Sequence, residues 1–192
     1  MALEGDEDYA TIDDHPEDLP FKSFHFRKGK PLMPKISEPL VYKFSKEKPE
    51  GRELVDLQYN TLGLFIVSEN FKKILEGKAN IEFIPIQLID HRGNVASDTH
   101  CLANILDLRD VIDKEKSECR VDPFDDDEFT RLSNLVFDED KLVEDIHIFK
   151  IKQMPSTVIV DDLLAEEIKK NQLEGIKLVP IEEFDSAYFM GV

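Results

Sequence analysis

The side chains that could perform nucleophilic or metal chemistry are few and scattered in this sequence. They are His15, His25, His91, His100, His147, Cys101 and Cys119. Nucleophilic catalysis needs a nucleophile, a base and a group that orients the base, and none of the histidines lies in a recognisable motif of that kind. No serine or cysteine lies between the two glycines of a nucleophile elbow. The sequence therefore predicts no catalytic residues and a protein that is not an enzyme.

Metal binding is also disfavoured by the spacing of these side chains. His91, His100, Cys101 and Cys119 could gather around zinc, but they lack the Cys-x-x-Cys or His-x-x-x-His pairs that local geometry favours. With 41 aspartates and glutamates, pairs of carboxylates occur throughout the chain, so their spacing gives no information about a hydrolase. We expect no metal and no cofactor.

The longest run of consecutive acidic side chains, Asp125 to Glu128, lies in the segment 121–128, VDPFDDDE. A calcium loop needs oxygen ligands at alternating positions and a glycine at the bend, and this segment has neither. An exposed aromatic side chain within an acidic loop is typical of a protein–protein anchor. A flexible, solvated loop is the alternative interpretation. The candidate partner-binding residues are Asp122, Phe124, Asp125, Asp126, Asp127 and Glu128.

The composition narrows the classes of partner. A net charge of −17 argues against nucleic acids and anionic membrane surfaces, which need a basic face, and leaves a basic protein possible. The segment 21–39 is locally basic and contains Phe24 and Phe26. It could contact RNA, but we favour packing of its aromatic side chains on the core. The absence of a long apolar run or a signal-like start, together with only two cysteines, predicts a cytoplasmic protein with free thiols.

Two stretches of the chain resemble each other, 64–86 and 157–184. Each has a short β-branched run, a helix-capping side chain (Ser68 or Asp161), apolar residues at offsets of three and seven from the cap, and a second strand. Pro85 and Pro180 should lie where a strand ends, bulges or runs along an edge. Each unit is long enough for a right-handed parallel crossover. Gly77 and Gly175 lie at the helix ends, where a left-handed residue is needed.

Outside these units, the pattern predicts strands at 40–44, 100–106 and 147–152, a turn at 90–94 and a short helix within 107–117. The predicted fold class is α+β: a mixed sheet built from two similar strand-helix-strand units, with a hairpin and short helices. Residues 1–20 carry eight acidic side chains and no lysine or arginine, which predicts a mobile or loosely docked arm. We therefore expect an acidic arm and a poorly assigned segment at 1–59 and an α+β domain at 60–192.

Several of these motifs, taken in order, resemble a known bacterial family. They are Val67-Ser68-Glu69 with Phe71, the segment 81–86, Leu102 with Asn104, Asp113 with Ser117, and the segments 148–150, 158–160 and 175–180. In order and spacing they resemble immunity protein family eleven, which is associated with polymorphic toxin and contact-dependent competition systems. The resemblance covers about residues 60–184. The sequence departs from it at residues 100–103, where the family tends to be rich in tyrosine.

The resemblance implies a cytoplasmic protein that binds and neutralises a cognate toxin or effector, with no catalytic residues. An acidic surface would attract a basic toxin. The alternative is a small-molecule-binding domain or an enzyme whose site lies between the two similar units. The oligomeric state is left open.

Overall fold

The computed structural model describes residues 1–142 and 145–189, which form twelve short strands and three α-helices. The strands are β1 (Ala2–Leu3), β2 (Leu40–Lys43), β3 (Ile66–Val67), β4 (Ile81–Ile89), β5 (Val95–Ser97), β6 (Cys101–Ile105), β7 (Leu108–Arg109), β8 (Glu118–Val121), β9 (Phe129–Ser133), β10 (Ile148–Ile151), β11 (Met154–Val160) and β12 (Ile176–Lys177). The helices are α1 (Glu69–Leu75), α2 (Asp162–Lys170) and α3 (Ser186–Phe189). Short 3-10 turns lie at Ser23–Arg27, Met33–Lys35, Glu139–Lys141 and Ile181–Glu183.

The largest sheet has the order β2-β4-β6-β3, with β5 also paired to β4. Strand β6 runs antiparallel to both β3 and β4, so β3 and β4 point the same way with β6 between them. Helix α1 makes the connection, as expected for a parallel crossover. The first unit therefore has the strand-helix-strand arrangement that the sequence predicts.

The second unit is built differently. Strand β11 forms a hairpin with β10, which is parallel to β7. Strand β12 instead pairs with β1 in a separate two-stranded sheet. A further hairpin joins β8 and β9. Among the described residues the strands thus form four small sheets instead of one mixed sheet, and the predicted repeat is not shown. Helices and strands occur together in the fold, so a class that contains both is confirmed, while the single mixed sheet is not.

Both predicted helix caps are present. The Ser68 hydroxyl accepts a hydrogen bond from the backbone N–H of Phe71 at 3.1 Å, and the Asp161 carboxylate accepts one from that of Leu164 at 2.9 Å. Phe71 and Leu164, together with Leu75 and Ile168 one turn later, are buried. The cap residue and the apolar offsets therefore predict correctly where each helix begins and which face it buries.

Pro85 lies inside β4, at the point where that strand changes partners. Residues up to Pro85 pair with β6, and pairing with β2 begins at the next residue, Ile86. Proline has no N–H to donate to a ladder, so it fits where one side of the strand is without a partner. Pro180 lies beyond the end of β12 and immediately before the 3-10 turn Ile181–Glu183.

The predicted helix within 107–117 is wrong. Leu108 pairs with Lys150 in a parallel ladder, and Ile112 forms a bridge with Phe137. The Asp113 carboxylate accepts hydrogen bonds from the backbone N–H groups of Glu115 and Lys116, which gives the chain a turn in place of a helix. Pairing with distant strands has overridden the local apolar spacing.

The structure confirms the predicted turn at residues 90–94 and the hairpin that follows β4. The Asp90 carboxylate accepts hydrogen bonds of 2.8 Å from the backbone N–H groups of Arg92 and Asn94, and Gly93 adopts a φ of 83°. Strand β6 then returns along β4. Acceptor side chains and a glycine with positive φ are the components that a tight turn needs.

The loosely docked arm predicted for residues 1–20 is corrected by the packing. Ala10 and Ile12 are fully buried in a cluster with Leu40, Ile84 and Ile86. The backbone N–H of Ile12 donates to the carbonyl of Tyr59. Hydrophobic packing therefore crosses the expected boundary at residue 60, while the division into 1–59 and 60–192 stays a prediction.

The basic segment 21–39 packs in part as expected. Phe26 is buried in the same cluster, and Phe21 packs against it with ring centroids 5.1 Å apart. Phe24 remains exposed, with the Lys28 ammonium 4.8 Å from its ring centroid. Aromatic burial and a local cation–π contact account for this segment without a nucleic acid.

A junction at residues 55–57 joins the two units. The Asp56 carboxylate accepts hydrogen bonds from the Ser68 hydroxyl at 2.5 Å and from the backbone N–H of Glu174 at 3.0 Å. Gly175 packs directly against the backbone of this segment. A Cβ built on Gly175 would be 2.3 Å from the Leu57 carbonyl oxygen. Gly77 has nearly the same φ, 78° against 77°, but no atom of the described residues lies within 4 Å of its Cβ position.

The two glycines provide a matched test of this junction. We expect Gly77→Ala to lower the free energy of unfolding by about 1 kcal/mol, the cost of a left-handed residue with a Cβ. Gly175→Ala should cost about 3 kcal/mol or more, because the methyl group also collides with backbone. Urea unfolding of both variants measures the difference. Equal costs would contradict the close packing at residue 175.

Candidate functional site

The predicted partner-binding residues all lie on the loop between β8 and β9, which we call the acidic loop (residues 122–128). Strand β9 packs this hairpin against the core, because Phe129 and Leu132 are buried in a cluster with Ile112 and Met154. The loop itself extends from the end of the hairpin into solvent. The structure thus presents the six candidate residues together on a supported hairpin.

Hydrogen bonds within the acidic loop give its backbone a defined shape. The Asp122 carboxylate accepts from the backbone N–H of Phe124 at 2.7 Å, and the Asp125 carboxylate accepts from that of Asp127 at 3.0 Å. The backbone N–H of Asp122 donates to the Glu128 carbonyl at 2.8 Å. Aspartate at these positions therefore has a structural reason, as the turn-forming acceptor, in addition to its charge.

Phe124 has the most exposed large apolar side chain among those that the structure describes, with 97% of its surface accessible. The four acidic side chains from Asp125 to Glu128 are exposed as well. Full burial of such an aromatic ring against a partner removes apolar surface from water, which is worth about 2 kcal/mol. The acidic loop thus combines an exposed apolar side chain with four exposed carboxylates.

Two arginines beside the acidic loop did not emerge from the sequence. Arg120 and Arg131 line a shallow depression together with Pro123 and Phe124. The Arg131 guanidinium donates to the Asp185 carboxylate at 2.6 Å and holds the pKa of that carboxyl below its usual value. Their position follows from the β8–β9 register, where Arg120 and Arg131 are directly paired, and cross-strand register is difficult to derive from the sequence alone.

The histidines and cysteines do not form a reactive cluster. In the part of the chain that the structure describes, no group of three or more metal-ligating side chains could hold an ion. Burial raises the pKa of the Cys101 thiol to about 11, so this side chain is a protonated, unreactive thiol at neutral pH. The Ser97 hydroxyl oxygen lies 2.7 Å from Nδ1 of His100. The same oxygen accepts hydrogen bonds from the backbone N–H groups of Thr99 and His100. Ser97 is therefore a turn cap.

A cavity of about 500 Å³ lies between the segment 61–65, which leads into β3, and strand β11. This is the region between the two similar units, where the alternative interpretation placed a small-molecule site. Its volume is within the range of ligand pockets. Its lining includes the side chain of Lys150, which projects from β10 and is only 8% exposed.

Lys150 is a buried cation without a carboxylate partner among the described residues. Its ammonium donates one hydrogen bond, to the Phe26 carbonyl at 3.2 Å. Burial, together with the positive charge of Arg27, lowers the pKa of Lys150 to about 8. The charged form is therefore destabilised by its surroundings.

Comparison with known protein families identifies a family of immunity proteins. The chain belongs to the immunity protein family Imm11, which it matches over residues 6–183. The resemblance carried by the ordered motifs is confirmed, and it begins at residue 6 instead of about residue 60. Comparison with curated proteins gives no match. None of the described helices is long and apolar enough to cross a membrane.

The buried charge of Lys150 leads to a prediction about how the free energy of unfolding depends on pH. Because its folded pKa of about 8 lies below the 10.5 of a lysine in water, the unfolded state binds more protons between these two pH values, and stability rises with pH there. Replacement by methionine should raise the free energy of unfolding at pH 7 by roughly 2 kcal/mol, since the cost of the buried charge exceeds that of the lost hydrogen bond. This advantage should shrink between pH 8 and 10.5.

Urea unfolding of wild type and Lys150→Met at pH 7 and pH 10 measures both effects. Lys152→Met is the matched control, because Lys152 lies two residues further along and is exposed. A Lys150→Met variant that is less stable than wild type at pH 7 would contradict this prediction, because it would show that the lysine stabilises the folded protein.

Proposed function

We propose that this protein is a cytoplasmic immunity protein that binds and neutralises a cognate toxin or effector without catalysing a reaction. Membership of the Imm11 family over residues 6–183 carries this proposal. The family implies the toxin-neutralising role and does not identify the toxin. Protection by binding needs a recognition surface and no reactive group, which agrees with a Cys101 thiol that is buried and protonated.

The acidic loop is the surface that we assign to recognition. A basic toxin would be attracted over roughly 8–10 Å of screened solution before contact, which raises the association rate more than the final affinity. Phe124 would then enter an apolar pocket of the toxin, with the carboxylates from Asp125 to Glu128 at the rim of the contact. A central aromatic residue surrounded by polar groups is the usual arrangement of a binding hot spot.

The first test is to find the partner. The protein is captured from its own cells at low and at moderate salt, and the retained proteins are identified by mass spectrometry. The proposal predicts a stoichiometric basic protein that is lost as the salt concentration rises. Retention of a small molecule alone would favour the second candidate function, a small-molecule-binding domain, for which the cavity between segment 61–65 and β11 is the specific observation.

The electrostatic part of the proposal is tested by neutralising Asp125, Asp126 and Asp127 together as asparagines. We expect about 10-fold weaker binding of the captured toxin at low salt and a flatter dependence on salt, because three charges of the acidic loop are removed. The control replaces the exposed acids Glu47, Glu50 and Glu53 by glutamine, which makes the same change in net charge elsewhere. Equal losses in both variants would indicate a net-charge effect, and unchanged binding would reject this surface.

The anchor is tested separately by Phe124→Ala. Loss of a hot-spot aromatic residue should weaken toxin binding by roughly 10- to 100-fold, mainly through faster dissociation. Thermal stability should not change, because this ring makes almost no contact within the protein. Leu163→Ala is the control, since Leu163 is another exposed apolar side chain, 65% accessible, on α2. Equal affinities of Phe124→Ala and wild type for the captured toxin would exclude Phe124 from the interface.

A further inference from the structure

The cavity between segment 61–65 and β11 has a charge opposite to that of the protein as a whole. The chain carries a net charge of −17, yet the charged side chains among the residues that line the cavity are Arg27, Lys150 and Lys177. No aspartate or glutamate is found among the described lining residues. A concentration of positive charge in so acidic a protein calls for a physical explanation.

Lys150 shows that this charge is incompletely balanced within the protein. A lysine ammonium has three donors, and the described structure provides Lys150 with one hydrogen-bond acceptor, the Phe26 carbonyl. Among the described side chains, no carboxylate forms an ion pair with it. A buried charge is normally paired, because an unpaired one costs several kilocalories per mole. The remaining donors of Lys150 are those that an anion entering the cavity would use.

Arg27 adds a second positive charge near the same point. It lines the cavity and is exposed to solvent, and its charge is one of the causes of the lowered pKa of Lys150. Two cations that repel each other in the empty protein would both be stabilised by one anion bound between them. Arginine presents several donors in a planar arrangement that suits carboxylate and phosphate groups.

The rest of the cavity wall combines apolar side chains with hydroxyl groups. Apolar contacts come from both sides of the cavity and include Leu64, Phe65, Val158, Ile159 and Ile181. The hydroxyls come from Thr61, Ser156, Thr157 and Ser186. Such a wall favours a ligand with an apolar body in addition to its charged group, as in most small-molecule sites.

We propose that this cavity binds a small organic anion with an apolar body and a carboxylate or phosphate head group, and that Lys150 and Arg27 bind the head group. This site is independent of the acidic loop, so its proposal does not depend on the identity of the toxin. Binding requires no covalent step. The ligand would stabilise the protein by mass action, since the unfolded chain has no such site.

Calorimetric titration of the full-length protein tests the site with octanoate, octyl phosphate and the uncharged octanamide. An affinity tag is placed at the C-terminus, because Met1, Ala2 and Leu3 also line the cavity. We expect octanoate or octyl phosphate to bind with a Kd below about 1 mM and octanamide to bind at least 10-fold more weakly. The anion that binds more tightly shows whether the head group is a carboxylate or a phosphate.

Two variants and two matched controls connect the binding to the named residues. Lys150→Met should weaken anion binding at least 10-fold, and Arg27→Gln several-fold, because each removes a charged hydrogen bond to the head group. The controls Lys152→Met and Lys22→Gln change exposed cations that do not line the cavity and should leave the Kd unchanged. If Lys150→Met does not fold, Arg27→Gln decides, because its side chain is exposed.

Three results would overturn the proposal. The first is that neither anion binds with a Kd below about 1 mM, which is also the result expected if only an acidic protein segment fills the cavity. The second is that octanamide binds as tightly as the anions, since an apolar pocket would then suffice. The third is that anion binding survives in a folded Lys150→Met variant and in Arg27→Gln.

Discussion

The junction at residues 55–57 holds the parts of this structure together, because one short segment contacts both helical units. Asp56 accepts hydrogen bonds from the α1 cap, Ser68, and from the backbone of the loop that follows α2. Leu57 is fully buried with Phe71 of α1 and Leu164 of α2, and its backbone bonds to Glu174. Small sheets of short strands need a hydrophobic face that packs against another element to be stable in water. The junction allows several such sheets to share one apolar cluster.

The same arrangement explains why a cavity exists between the units. Strands β3 and β11 belong to different sheets, so no ladder of backbone hydrogen bonds draws them together. They are held near each other by the side chains that pack on Val67 and Val158 in one cluster. The cavity lies where this side-chain packing ends, because no paired backbone fills the space between the two strands. Residues of β1 and β12 form its border. A site for a ligand thus arises as a consequence of splitting one expected sheet into several.

Features that depend on neighbours in sequence could be predicted, and those that depend on distant pairing could not. Ser68 and Asp161 were identifiable as caps because an N-cap bonds to an amide three residues away. The turn at Asp90 depends on side-chain bonds that span at most four residues. The placement of β12 beside β1, in contrast, depends on a contact across more than 170 residues. The false helix at 107–117 fails for the same reason, since the partner that makes Leu108 a strand residue is Lys150.

The acidic loop and the cavity differ in the same respect. The acidic loop could be found because its charges and its aromatic residue are consecutive, whereas the cavity assembles Arg27, Lys150 and Lys177 from three separate parts of the chain. These two sites also differ in how salt should act on them. Attraction of a basic toxin to exposed carboxylates weakens as ions screen it. An anion that approaches the cavity is first repelled by the negative potential of the whole protein, and salt screens this repulsion. Its attraction to the buried Lys150 is screened much less. Rising salt should therefore oppose binding at the acidic loop and assist entry to the cavity, which separates the two sites without any mutation.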